Sequence, residues 1–172
     1  MRERIQSDER TSFQDAGPFD PRIDSRADVA MVYGMNPSFE SRLSAWRDAG
    51  YRPHVMVGIS WGGYQAYVRG EWDGVQHYDD AQTATNDFRL EHGVGYGHDC
   101  FYMMPSRDYA RYLAEQVKPV IDAGAIAVHL EEPEFWVSAG YSEGFKREWR
   151  EFFGEDWQDP ISSPDAQYRA SR

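Results

Sequence analysis

Three carboxylates, Glu131, Glu132 and Glu134, lie directly behind the apolar run Ala125-Ile126-Ala127-Val128-His129-Leu130 and ahead of Phe135-Trp136. A short buried strand does not keep charges beside it without a reason, because burying an unpaired carboxylate costs on the order of several kcal/mol. At the carboxyl end of an α/β strand, such groups do chemistry. Cleavage of a glycosidic bond needs one carboxylic acid to protonate the leaving oxygen and a second carboxylate as nucleophile or base. Glu132, set between Glu131 and Glu134, suits the acid, since neighbouring like charges raise a carboxyl pKa. Strict alternation puts Ala127, His129 and Glu131 on one face and Ile126, Val128, Leu130 and Glu132 on the other. The more polar first set suits a barrel interior and favours Glu131, so both glutamates stay candidates. The same run also reads as a solvated loop or the first turn of a helix.

Trp61 and Trp136 fall just beyond two expected strands, where rings stack on a sugar face or pack against rim loops. His129 and Glu134 join them as candidate sugar contacts, with a backbone carbonyl the competing partner for the imidazole. Trp46 and Trp149 lie on helical apolar stripes and belong to the core. His129 with Glu131, or His77 with Asp79 and Asp80, offers ligand types that zinc or manganese accepts, but without a helical His-x-x-x-His spacing. No metal and no cofactor is expected. Cys100, next to Phe101 at the start of a strand, reads as an inert thiol. The glycine-rich Gly93-Val94-Gly95-Tyr96-Gly97 follows no strong strand and precedes no lysine or serine, so it is a poor phosphate cradle.

The elements that must position these groups alternate along the chain. Residues 1–27 mix charges with Gly17-Pro18 and Asp20-Pro21 and read as an irregular arm. Short apolar strands are predicted over 28–34, 54–60, 101–104 and 125–130. Asn36-Pro37 opens a helix to about Asp48 that carries Phe39, Leu43 and Trp46. Ser106 caps a helix over 107–123 with Tyr109, Tyr112, Leu113, Val117 and Ile121 on its stripe. Ser142 leads another, with Phe145, Trp149, Phe152 and Phe153 at helical spacing. Residues 65–99 form a long polar segment, and 161–172 read as a disordered tail. Alternating strands and helices imply βαβ units and a mainly parallel sheet, an α/β fold. Four such strands are too few for an eight-stranded barrel. Residues 28–160 are therefore either a doubly wound open sheet or about four βα units of a partial (β/α)8 TIM barrel.

Composition narrows the partners. A formal net charge of -11 over 172 residues argues against nucleic acid and against an anionic membrane surface. No run approaches the roughly 18 apolar residues of a membrane span, and the polar stretch Met1 to Arg26 has no signal-peptide core. The single cysteine rules out an internal disulfide framework and suits a reducing cytoplasm.

Glu131-Glu132-Pro133 at the end of a fourth strand resembles the Asn-Glu-Pro signature of retaining (β/α)8 glycosidases, the β-galactosidase and cellulase-like clan. The run from His129 to Trp136, with Ala139 to Phe145, Trp61-Gly62-Gly63-Tyr64 and Tyr102-Met103-Met104-Pro105, is similar to bacterial glycoside-hydrolase-like barrel proteins over roughly residues 28–160. The resemblance implies a carbohydrate substrate, with Glu132 as general acid/base and Glu131 where the clan has an asparagine that binds the sugar 2-hydroxyl. The clan's nucleophile lies on a seventh strand, for which this chain has no counterpart. A fragment of a barrel is thus expected, with little turnover by the isolated chain, and either a homodimer or a missing C-terminal half-barrel. A non-catalytic carbohydrate-binding module and a metal-dependent sugar isomerase or hydrolase are the alternative functions.

Overall fold

The computed structural model describes residues 8–62, 64–92, 97–134 and 138–171. Its elements are β1 (Ser12–Asp15), β2 (Val29–Tyr33), α1 (Phe39–Asp48), β3 (Arg52–Gly58), α2 (Gln65–Val68), α3 (Arg107–Asp122), β4 (Val128–Glu131), α4 (Glu143–Phe153) and α5 (Pro164–Ala170). The fold is α/β, with a four-stranded sheet in the order β1-β2-β3-β4. Pairing is parallel from β1 to β3. Ile126 N–H donates to Pro53 C=O and Val55 N–H to Ala127 C=O, which carries the same sense to β4. The chain divides into two compact units, residues 1–57 with 115–131, and residues 58–114 with 132–172.

The first unit holds the sheet. Phe13 pairs with Ala30 and Val32 with Val55, so alternation brings these side chains to one face. There Ala30, Val32, Val55 and Val57 pack with Phe39, Leu43 and Trp46 of α1 and Val120 of α3. Within this unit α1 and α3 cover that face through one core. The opposite face carries Gln14, Met31, Tyr33, His54 and Met56.

Two expectations change here. The arm expected over residues 1–27 contains β1. Asp28 holds it in place by accepting from Arg10 N–H, Thr11 N–H and the Thr11 hydroxyl, while Thr11 Oγ1 accepts from Asp28 N–H. The helix α1 starts at Phe39 behind Ser38 rather than at Pro37. Asn36 instead closes a turn, its Oδ1 accepting from Ser38 N–H and Ser38 Oγ. Arg42 of α1 is buried, and its guanidinium donates to the carbonyls of Ala16, Tyr33 and Gly34 and to Asn36 Oδ1.

The second unit is built around rings and one buried carboxylate. Tyr67, Tyr109 and Tyr112 pack with Val68, Ala81, Phe101 and Met103. Residues 101–104 therefore do not form the expected sheet strand. Phe101 and Met103 make only isolated antiparallel bridges, to Glu91 and Ala81. Asp80 accepts from Tyr67 Oη, from Ser106 Oγ at 2.5 Å and from Arg147 Nη2 at 3.1 Å. Gly144 in α4 lies against this group, where a Cβ would sit 2.4 Å from Asp79 O. Ser106 and Ser142 cap α3 and α4 through Tyr109 N–H and Phe145 N–H. Over the expected disordered tail the chain forms α5. Ser163 Oγ accepts from Ala166 N–H, Pro164 opens the first turn, and Arg169 pairs with Asp165 and Glu155.

Candidate functional site

Glu131 is the last residue of β4. Two residues earlier His129 meets His54 of β3, with His54 Nδ1 2.8 Å from His129 Nε2. Alternation along β4 therefore sets His129 and Glu131 on the face opposite α1 and α3. Val128 packs into the helix-side core. Glu131 Oε2 is buried and has no hydrogen-bond partner among the described residues. A buried carboxylate oxygen without a donor is costly.

His54 is buried, and its Nε2 lies 3.4 Å from Glu9 Oε1, at the outer edge of an ion pair. Burial pushes the His54 pKa below its ordinary value, against a smaller upward pull from Glu9. The folded state thus prefers neutral imidazole while the unfolded chain takes a proton near pH 6.5. That stability is complete above the unfolded pKa and falls as the pH drops through it. Urea unfolding at pH 7.5 and 5.5 is expected to show a loss that a His54→Gln variant does not share. An equal loss in both proteins would remove His54 as its source.

At Glu132 the backbone turns left-handed, with φ 52° on an exposed side chain. A non-glycine residue there costs about 1–2 kcal/mol, and such strain gathers at functional turns. In the second unit the following segment is held by its main chain. Glu134 N–H donates to Ser60 Oγ at 2.6 Å, and Glu134 C=O accepts from Gln82 Nε2 at 2.5 Å. Its side chain is exposed. The Tyr102 hydroxyl is pushed above its ordinary pKa by burial and then by the charges of Glu134 and Glu132.

Trp61 stacks on His92 with centroids 3.8 Å apart, and His92 meets Tyr102 at 5.6 Å. One face of Trp61 is thus already occupied by imidazole. Pro133, after the strained turn, lines a cavity of about 350 Å³ with Met104, Phe145, Trp149, Phe152 and Arg169. Such a volume is that of a small-molecule site. Trp136 lies outside the described residues.

Of the expected site residues, Trp61, Glu132 and Glu134 belong to the second unit, where Trp61 meets His92 and His92 meets Tyr102, while His129 and Glu131 belong to the first unit's sheet. Tyr102 and His92 were not legible as site residues. The sequence places Tyr102 in a sheet strand, and His92 lies in a long, polar, weakly periodic segment.

The other reactive groups have structural partners. Cys100 is buried, donates to Gly62 C=O, and has its pKa raised by burial. His77 stacks on Tyr67 at 4.1 Å and faces both Asp73 oxygens at 3.2 Å. Among the described residues no group of three or more histidines, cysteines and carboxylates could hold a metal ion. None of the described helices is long and apolar enough to cross a membrane. No family model, curated protein or solved structure matches the chain.

Proposed function

We propose that this chain is a glycosidase-like α/β protein acting on a glycosidic bond, with Glu132 as general acid/base. Glu131, His129, Glu134, Trp61 and Trp136 are its proposed sugar contacts, and the cytoplasm is its proposed compartment. The observation that carries the reading is the turn Glu131-Glu132-Pro133 at the carboxyl end of β4. Just past the strand the backbone at Glu132 is strained, and Pro133 beside it lines a cavity of small-molecule size. Parallel α/β sheets bind ligands at that end of their strands. The four-stranded parallel order, with helices on one face, is consistent with part of a (β/α)8 barrel.

The test is hydrolysis of aryl glycosides graded by leaving-group pKa, at high protein concentration. A general acid matters most where the leaving oxygen needs a proton. Glu132→Gln is expected to lower the slow turnover of poor-leaving-group substrates by roughly 100-fold or more, and that of dinitrophenyl glycosides far less. Turnover unchanged by Glu132→Gln would remove the assignment. A non-catalytic carbohydrate-binding role is favoured by the ring cluster Trp61, His92 and Tyr102, which forms without Glu131. It requires sugar binding that survives Glu131→Gln and Glu132→Gln but is lost in Trp61→Ala.

A further inference from the structure

We infer that the sheet of the first unit is completed by a second copy of this chain, β4 of each copy pairing in parallel with β1 of the other to close an eight-stranded ring. Among the described residues β1 and β4 are the outer strands, and each leaves one backbone edge without a strand partner. Parallel sheets are stable with both faces covered, and open edges invite pairing. Here helices cover one face, and the other carries Met31, Tyr33, His54, Met56 and His129.

The apolar surface on β4 fits an added strand. Leu130 shares the helix side of β4 with Val128, yet it is 65% exposed while Val128 packs into the core, and Ile126, just ahead of the strand, is 61% exposed. At the other end of the sheet, Ile23, in the connection from β1 to β2, is 45% exposed. Every copy thus offers two different unsatisfied edges, and a two-fold pair satisfies both at once, leaving no edge open. A single-chain partner of other chemistry would have to supply both matching edges itself.

Four strands from each copy make eight, the number whose interior side chains just fill. The half-exposed second face of the sheet, with its large Met31, Tyr33 and Met56, suits that filling. In this ring the two β4 strands stand opposite each other, so each copy brings a Glu131-Glu132 turn to the same mouth. This last consequence rests on the function proposed above; the pairing itself does not.

The experiment measures mass by light scattering and sedimentation across a concentration series of the full chain. A species of twice 19.9 kDa is expected. Leu130→Lys and Ile126→Lys, at exposed positions, are expected to weaken the pair roughly 10- to 100-fold, with circular dichroism of the monomer unchanged. Phe152→Lys, on the 71% exposed position of α4, is expected to leave it intact. A monomer at all concentrations, open-ended oligomers, or a dimer lost by Phe152→Lys but not by Leu130→Lys would each overturn the inference. Glycoside hydrolysis enters none of these readouts, so loss of the enzymatic reading leaves the pairing tested on its own.

Discussion

Asp80→Ala is expected to destabilise the second unit by about 2–4 kcal/mol, from leaving two buried hydroxyls without their acceptor, with the half-exposed Arg147 adding little. Asp80 is 1% exposed and receives three side-chain donors, Tyr67, Ser106 and Arg147. Its own carbonyl accepts from Met104 N–H at 2.9 Å. Alanine leaves two hydroxyls without their acceptor and the Arg147 guanidinium without its carboxylate. Tyr67 reports the same contact, because burial and then Asp80 raise its phenol far above its ordinary pKa. Asp80→Asn keeps one acceptor oxygen and should cost less. Urea denaturation of both variants, with Arg147→Ala and the double variant, isolates the charged part. An Asp80→Ala protein within about 1 kcal/mol of the parent would show that the carboxylate is not a structural centre.

Arg42→Met is expected to cost about 2–4 kcal/mol in the first unit, by leaving buried acceptors without donors. The guanidinium reaches Ala16 C=O at 2.9 Å, Tyr33 C=O at 2.8 Å and Gly34 C=O at 3.0 Å. These carbonyls lie just past β1 and at the end of β2, so one side chain fixes two strand ends. Burial pulls the Arg42 pKa down, yet arginine keeps its charge at any working pH. Arg42→Lys should rescue little, because a single ammonium cannot span the positions that the planar fork bridges. Thermal unfolding of the three proteins checks this, and a lysine variant as stable as the parent would contradict it.

The helices were readable because their signals are local. Ser106 and Ser142 cap where hydroxyl chemistry and apolar spacing place them, and Trp46 and Trp149 are buried on the expected stripes. Strand membership was less readable. Ser-Phe-Gln-Asp at β1 has one apolar residue, and its place depends on distant Asp28 and Ala30. Residues 101–104 have strand-like composition, but their partners are Ala81 and Glu91 in a separate unit. At the candidate site the sequence pointed to the acidic turn and to Trp61. It could not supply the left-handed bend at Glu132 or the His92 ring against Trp61, since both arise from the tertiary course of the chain.

The order of segments also governs how a nascent polypeptide can acquire this fold. His54 and His129 touch although 75 positions separate them, and most of the intervening chain belongs to the other unit. During synthesis the first three ribbons emerge early, yet their fourth neighbour arrives only after residues 58–114 have been made. Until then the edge of β3 stays open to wrong partners, the circumstance in which slow folding and aggregation compete with the native route.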